Sequence, residues 1–346
     1  MSNSREASSR AVIFGCSGPI LSEAERAFFQ TVNPCGFILF QRNCVTPEQI
    51  RALTKDLRAC AGWDAPILID QEGGRVQRLK PPLWRAAPPA ATFGQLAARN
   101  PDAARRAVWI NARLIAAELA ALGIDVDCAP VLDHPVPGAH DVIGDRAFGS
   151  GVELIGDLGR AMCAGLLAGG VLPVIKHIPG HGRATADSHF ACPVVTADAE
   201  SLRIHDLPPF RQLADQPFAM TAHVVYTAWD QTVATLSRKV IQEIVRGAIG
   251  FDGVLMSDDL SMKALGGGFV ERTIGALAAG CDVVLHCNGE MAEMAEIAEA
   301  APLLDGGSRR RWNAALARRQ SPEPADIPTL LGELESLLNG TSARPA

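Results

Sequence analysis

The sequence predicts an α/β fold, a single-domain (β/α)8 TIM barrel with extra C-terminal helices. Three observations predict it. Short β-rich apolar runs recur eight times, amphipathic segments of helical length lie between most of them, and no break in composition divides the chain. The runs are "AVIFG" (11–15), "GFILF" (36–40), "PILID" (66–70) and "IDVDCAPVLD" (124–133). They continue with "LPVIKH" (172–177), "FAMTAHVVY" (218–226), "GVLMSDD" (253–259) and "DVVLHC" (282–287). Of the intervening helical segments, "TPEQIRALTKDLRACAG" opens on Thr46 and "SRKVIQEIVRGAI" on Ser237, both good N-caps. A doubly wound open sheet is the rival architecture, and a count of eight favours the barrel. Residues 1–10 are expected to be a disordered tail, 11–338 the barrel, and 339–346 a frayed end.

Composition narrows the function. The 346 residues are 48% hydrophobic and 20% charged, with a net charge of −6. An acidic chain of this kind is expected to bind neither nucleic acid nor an anionic membrane surface. The basic run "SRRRWNAALARRQ" (308–320) reads as the solvated face of a late helix. Nine scattered cysteines with no C-x-x-C pair read as reduced, mostly buried thiols in a cytoplasmic protein. The apolar patch near the start is too short for a signal-peptide core, and glycines and a proline break the longest apolar stretch, 161–175.

Barrel chemistry sits at the C-terminal ends of the strands. There the sequence offers Asp70, Asp133, Lys176-His177, His223, Ser257-Asp258-Asp259 and His286. Six strands delivering ionisable groups to one rim mark an active site. Of the two adjacent acids, one suits a cap and the other a nucleophile or metal ligand in the barrel mouth. Lys176 closes a strand, where an unpaired buried charge is costly, so it reads as a substrate-binding group. Arg75 and Arg78 lie on the glycine-hinged loop "DQEGGRVQRL", and Arg75 serves equally well as a surface residue. Arg146 lies on the loop "VIGDRAFG".

The stretch "KHIPGHGRATADSH" (176–189) is too polar for a core and too rich in glycine for a helix. Three chemistries suit it. His177, His181, Asp187 and His189 make a metal set, although zinc ligands usually sit on rigid elements. A phosphate cradle needs glycines leading into a helix, which this pattern lacks. Asp187 and His189 make a dyad in which the carboxylate fixes the imidazole, so that one ring donates a proton and takes it back. Gly180, Gly182 and Pro179 read as the hinge of an arm that carries this dyad.

Taken together, "LIDQEGGRVQRL", "GDRAFG", "KHIPGHG" followed by "DSH", "MTAHVVY" and "MSDDLSM" resemble glycoside hydrolase family 3. More narrowly, they are similar to the bacterial β-N-acetylhexosaminidases of peptidoglycan recycling. The resemblance spans nearly the whole chain, with the motifs in the family's order. It implies Asp258 as nucleophile, with Asp259 as its neighbour or cap. It implies His189 as proton donor and acceptor, supported by Asp187. It also implies that Asp70, Arg78, Arg146, Lys176 and His177 grip a terminal N-acetylglucosamine. Ile178 departs from the pattern, standing where relatives more often have Phe.

The implied reaction is exo-acting, retaining hydrolysis by double displacement. Its substrate is N-acetylglucosamine linked β-1,4 to anhydro-N-acetylmuramic acid, with or without peptide. No metal or cofactor is needed, and a monomer is expected. Three alternatives remain open: a phosphorylase on the same scaffold, a metal-dependent hydrolase using the histidines, and a sugar-binding protein without turnover.

Overall fold

The structure is a computed structural model and describes residues 2–188 and 191–340. Eight strands close a parallel barrel: β1 Arg10–Phe14, β2 Pro34–Leu39, β3 Ile67–Ile69, β4 Val126–Asp127, β5 Leu172–Ile178, β6 Phe218–Thr221, β7 Val254–Asp259 and β8 Val283–His286. Each strand pairs with its neighbours in sequence, and β8 closes on β1 through Val12–Val284, Ile13–Leu285 and Phe14–His286. Helices surround the barrel. Thr46 caps Pro47–Ala61 by accepting from the Gln49 amide at 3.2 Å. Ser237 Oγ accepts from the Val240 amide at 3.0 Å, although the helix it introduces, Val240–Ile249, has wide π-type turns.

Two strands are shorter than the apolar runs suggest. In the run 124–133 only Val126–Asp127 is strand, because Pro130 has no amide to give a ladder. In the run 218–226 the barrel strand stops at Thr221, and Val225–Tyr226 instead pairs with Val194–Val195 outside the barrel.

The N-terminal end of the barrel is held by one device used twice, four strands apart. Asp125, just before β4, accepts the Ile67 amide of β3 at 2.7 Å and pairs with Arg58 and Arg319. Asp282, just before β8, accepts the Leu255 amide of β7 at 2.9 Å and pairs with Arg246 and Arg311. Each carboxylate thus joins two strands to the preceding helix and to the C-terminal segment.

The basic run 308–320 is therefore not merely a solvated helix face. Within helix Gly306–Leu316, Trp312 is fully buried and meets Phe218 edge-on at 5.8 Å, plugging the barrel floor. Residues 2–7, expected to be disordered, form a short helix. Its Arg5 donates to the Ala61 carbonyl at 3.0 Å, satisfying the end of helix Pro47–Ala61. At the other end, helix Ile327–Asn339 stops at Gly340, whose φ of 72° suits glycine. Residues 341–346 of the expected frayed end lie outside the described residues. All nine cysteines are free and eight are buried. No described helix is long and apolar enough to cross a membrane.

Candidate active site

Alternation along the strands decides which side chains enter the barrel. Leu68, Val174, Met220 and Met256 belong to the buried interior cluster. Two residues further along, Leu68 is followed by Asp70, Val174 by Lys176 and Met256 by Asp258. All three line a cavity of about 260 Å³ at the C-terminal ends of the strands. Arg78, Arg146, His177, His181, Ser188 and Asp259 also line it, and Phe40, Met220, Met262 and Leu285 supply apolar wall.

Five charges interlock on one side. Lys176 Nζ donates to Asp70 at 2.8 Å and to Glu72 at 2.6 Å. Arg78 donates to the other oxygen of Asp70 at 2.8 Å, and Arg146 grips Glu72 with Nε at 2.9 Å and Nη2 at 2.8 Å. Burial alone would raise the Asp70 carboxyl, but Lys176 and Arg78 outweigh it and hold it well below the usual range. Burial opposes Glu72 in the same way, yet Arg146 and Lys176 bring it down to about 2. Burial would likewise discharge Lys176, but Asp70 and Glu72 keep it protonated. Three cations facing two carboxylates leave one net positive charge.

Behind the cavity lining, Asp133 is fully buried and serves two histidines. Its Oδ2 accepts from His177 Nδ1 at 2.7 Å, and its Oδ1 accepts the backbone amides of His177 at 3.2 Å and His181 at 2.7 Å. Burial disfavours its charge, but His177 and the other donors bring the carboxyl down to about 2. The His181 ring is buried beside His177, and the two effects push it down to about 4, so it is neutral near pH 7.

Asp258 is oriented from both sides. Its amide donates to Thr221 Oγ1 at 3.3 Å, and its Oδ1 accepts the Asp259 amide at 2.8 Å. Neither aspartate caps a helix, since the next one, Phe269–Ala279, begins after Gly268; Asp259 instead holds the turn after β7, its carboxylate accepting the amides of Ser261 at 3.0 Å and Cys287 at 3.2 Å and the Ser261 hydroxyl at 2.6 Å.

His189, the expected proton donor, lies outside the described residues. Its neighbour Ser188 is buried at the cavity wall, where its carbonyl accepts the Ala264 amide at 3.2 Å and its hydroxyl meets His181 Nε2 at 3.3 Å. Asp187 lines an adjoining depression with Arg75 and His140. The foot of the loop differs from the expected hinge. Tyr226 Oη donates to the Gly180 carbonyl at 2.6 Å, and Arg183 pairs with buried Asp206 at 2.7 Å. A Cβ on Gly182 would lie 2.0 Å from the His134 carbonyl oxygen. These glycines permit close packing of a buried foot, and exposed backbone begins only at Thr185.

Several rim candidates lie elsewhere. His286 alternates with Leu285 and points outward, buried between Phe14 and Phe269. His223 is buried against Thr235 Oγ1 at 2.7 Å, and burial lowers its pKa. Ser257 Oγ accepts the Leu285 amide at 3.0 Å. Arg75 holds the loop before Arg146, donating to the carbonyls of Asp141, Val142 and Ile143. Glu72 escaped the sequence reading, although its position two residues after Asp70 on an extended segment was the signal. Of the metal set, His177 gives Nδ1 to Asp133 and His189 is not described. Among the described residues no group of three His, Cys, Asp or Glu side chains is arranged to hold a metal ion.

Comparison with known proteins agrees with this architecture. The Beta-hexosaminidase of Bordetella avium (strain 197N) is 40% identical over 281 residues, 80% of this chain and 80% of that protein. That of Methylobacillus flagellatus is 43% identical over 257 residues, 73% of each. Among solved structures, NagZ from Neisseria gonorrhoeae in complex with N-trifluoroacetyl-D-glucosamine is 32% identical, with a TM-score of 0.85, covering 97% of this chain and 99% of that one. The model of the Glycosyl hydrolase family 3 N terminal domain matches residues 19–318. With its closed barrel and charged, strand-end cavity, this chain belongs to that family and is a glycoside hydrolase.

Proposed function

We propose that the protein is an exo-acting, retaining β-N-acetylglucosaminidase. The observation that carries the reading is the juxtaposition of Asp258, whose carboxylate accepts the Asp259 amide and whose own amide donates to Thr221, with an ion-paired set of charged groups in one small cavity. A volume of about 260 Å³ suits one pyranose ring, hence a terminal sugar. The relatives named Beta-hexosaminidase and the N-trifluoroacetyl-D-glucosamine bound by the Neisseria protein support N-acetylglucosamine as that sugar.

In this reading Asp258 attacks the anomeric carbon while His189, supported by Asp187, protonates the departing oxygen. His189 then takes a proton from water, which attacks the glycosyl-enzyme and releases the sugar with its configuration retained. Asp70, Arg78, Arg146, Lys176 and His177 hold the hydroxyls. Their mutual ion pairs keep donors and acceptors fixed before substrate arrives, so little ordering is left for the transition state. The glycan substrate is N-acetylglucosamine β-1,4-linked to anhydro-N-acetylmuramic acid, with or without peptide, as in cell-wall recycling, and the enzyme acts as a monomer.

Proton NMR of an N-acetylglucosaminide digest, run with and without phosphate, tests the reaction. The first product should be the β-anomer of free N-acetylglucosamine in both cases. An α-anomer at first would mean inversion, and a sugar 1-phosphate would mean phosphorolysis.

A further inference from the structure

We infer that Asp133 is a positioning residue that fixes the tautomer of His177 and so decides which hydrogen bond the sugar receives there. The inference rests on the proposal that His177 binds sugar. A carboxylate can only accept hydrogen bonds, so the 2.7 Å contact between Asp133 Oδ2 and His177 Nδ1 puts the ring proton on Nδ1. Nε2 is then the lone-pair nitrogen, and His177 lines the cavity. That tautomer accepts from a substrate hydroxyl through Nε2, while Lys176 beside it donates.

The other carboxylate oxygen makes the assignment sharp. Asp133 Oδ1 already accepts two backbone amides, from His177 at 3.2 Å and His181 at 2.7 Å. In Asp133→Asn the amide oxygen must take that place, since an NH2 there would face two donors. The new NH2 then points at His177 Nδ1 and moves the ring proton to Nε2. A single, nearly isosteric substitution thus inverts the ring's polarity toward substrate while keeping the backbone contacts. Asp133 also joins the sugar grip to the foot of the loop carrying Asp187 and His189, because His177 and His181 share its Oδ1.

Nitrogen-15 NMR of the ring at pH 8, assigned by loss of the signal in His177→Gln, tests the inference directly. The unaltered protein should show Nδ1 protonated and Nε2 bare, and Asp133→Asn should show the reverse. Asp133→Asn should lower kcat/KM by roughly ten- to a hundredfold, the range typical of orienting partners. The loss should be equal for nitrophenyl and unactivated leaving groups, because the defect lies in the sugar grip. In a His177→Gln background the same substitution should change kcat/KM less than twofold. An Nε2-protonated or doubly protonated ring in the unaltered protein would overturn the inference, whether or not Asp133→Asn folds. A full additional loss in the His177→Gln background would also overturn it. Absence of glycosidase activity in the unaltered protein, with the ring as expected, would instead count against the enzymatic reading.

Discussion

Among individual side chains, Glu72 shows how the site stores charge. It is buried against two cations, and its carboxyl titrates near 2 because Arg146 and Lys176 outweigh the cost of burial. In the unfolded chain a glutamate titrates at about 4.3, so between those values the unfolded state binds more protons. Stability contributed by Glu72 is therefore present above about pH 4 and is lost as pH falls through that window. Glu72→Gln should lower the melting temperature at pH 7, since Lys176 and Arg146 lose their shared anion. It should also flatten the fall in melting temperature between pH 5 and pH 3. Thermal melts followed by circular dichroism check this, and an equally steep fall in the variant would show that Glu72 is not the group responsible. The same variant should lose at least about tenfold in kcat/KM, as expected when an orienting partner is removed. The strand-end residues Asp70, Lys176 and Asp258 were legible because position along a strand also fixes facing. His223 and His286 misled because a list of strand-end polar residues ignores parity: His286 follows inward-facing Leu285 and must face out.

At the scale of elements, the loop after β5 combines a packed foot with a more exposed tip. The glycine-rich sequence suggested a hinge at 180 and 182, but spacing alone does not distinguish a glycine that bends from one that lets backbones touch. Gly182 is of the second kind, since an added Cβ would collide with the His134 carbonyl. Gly182→Ala should therefore lower the melting temperature and reduce turnover of nitrophenyl and unactivated substrates alike. A variant with an unchanged melting temperature, slowed only on unactivated substrates, would restore the hinge. Helix caps were legible at Thr46 and Ser237 because a cap is a local contact. The length of β4 was not, because pairing depends on the partner strand and Pro130 interrupts it.

For the whole molecule, eight strand–helix repeats were enough to identify the barrel, but not what closes its floor. That depends on Trp312, Asp125 and Asp282, whose partners are distant in sequence. The basic run around Trp312 has the composition of a surface and the position of a plug. Trp312→Ala should cost about 3–5 kcal/mol, as for other buried aromatics, read from urea unfolding. A loss below about 1 kcal/mol would mean that the floor is closed without it. The plugged floor leaves the strand-end cavity as the place for chemistry, and the central claim is that Asp258 is the nucleophile there. Incubation with a 2-fluoro or 5-fluoro glycosyl donor, followed by proteolysis and mass spectrometry, tests this most directly. The label should appear on Asp258, with none after Asp258→Ala. Label on Asp259, or none on the unaltered enzyme during turnover, would contradict it.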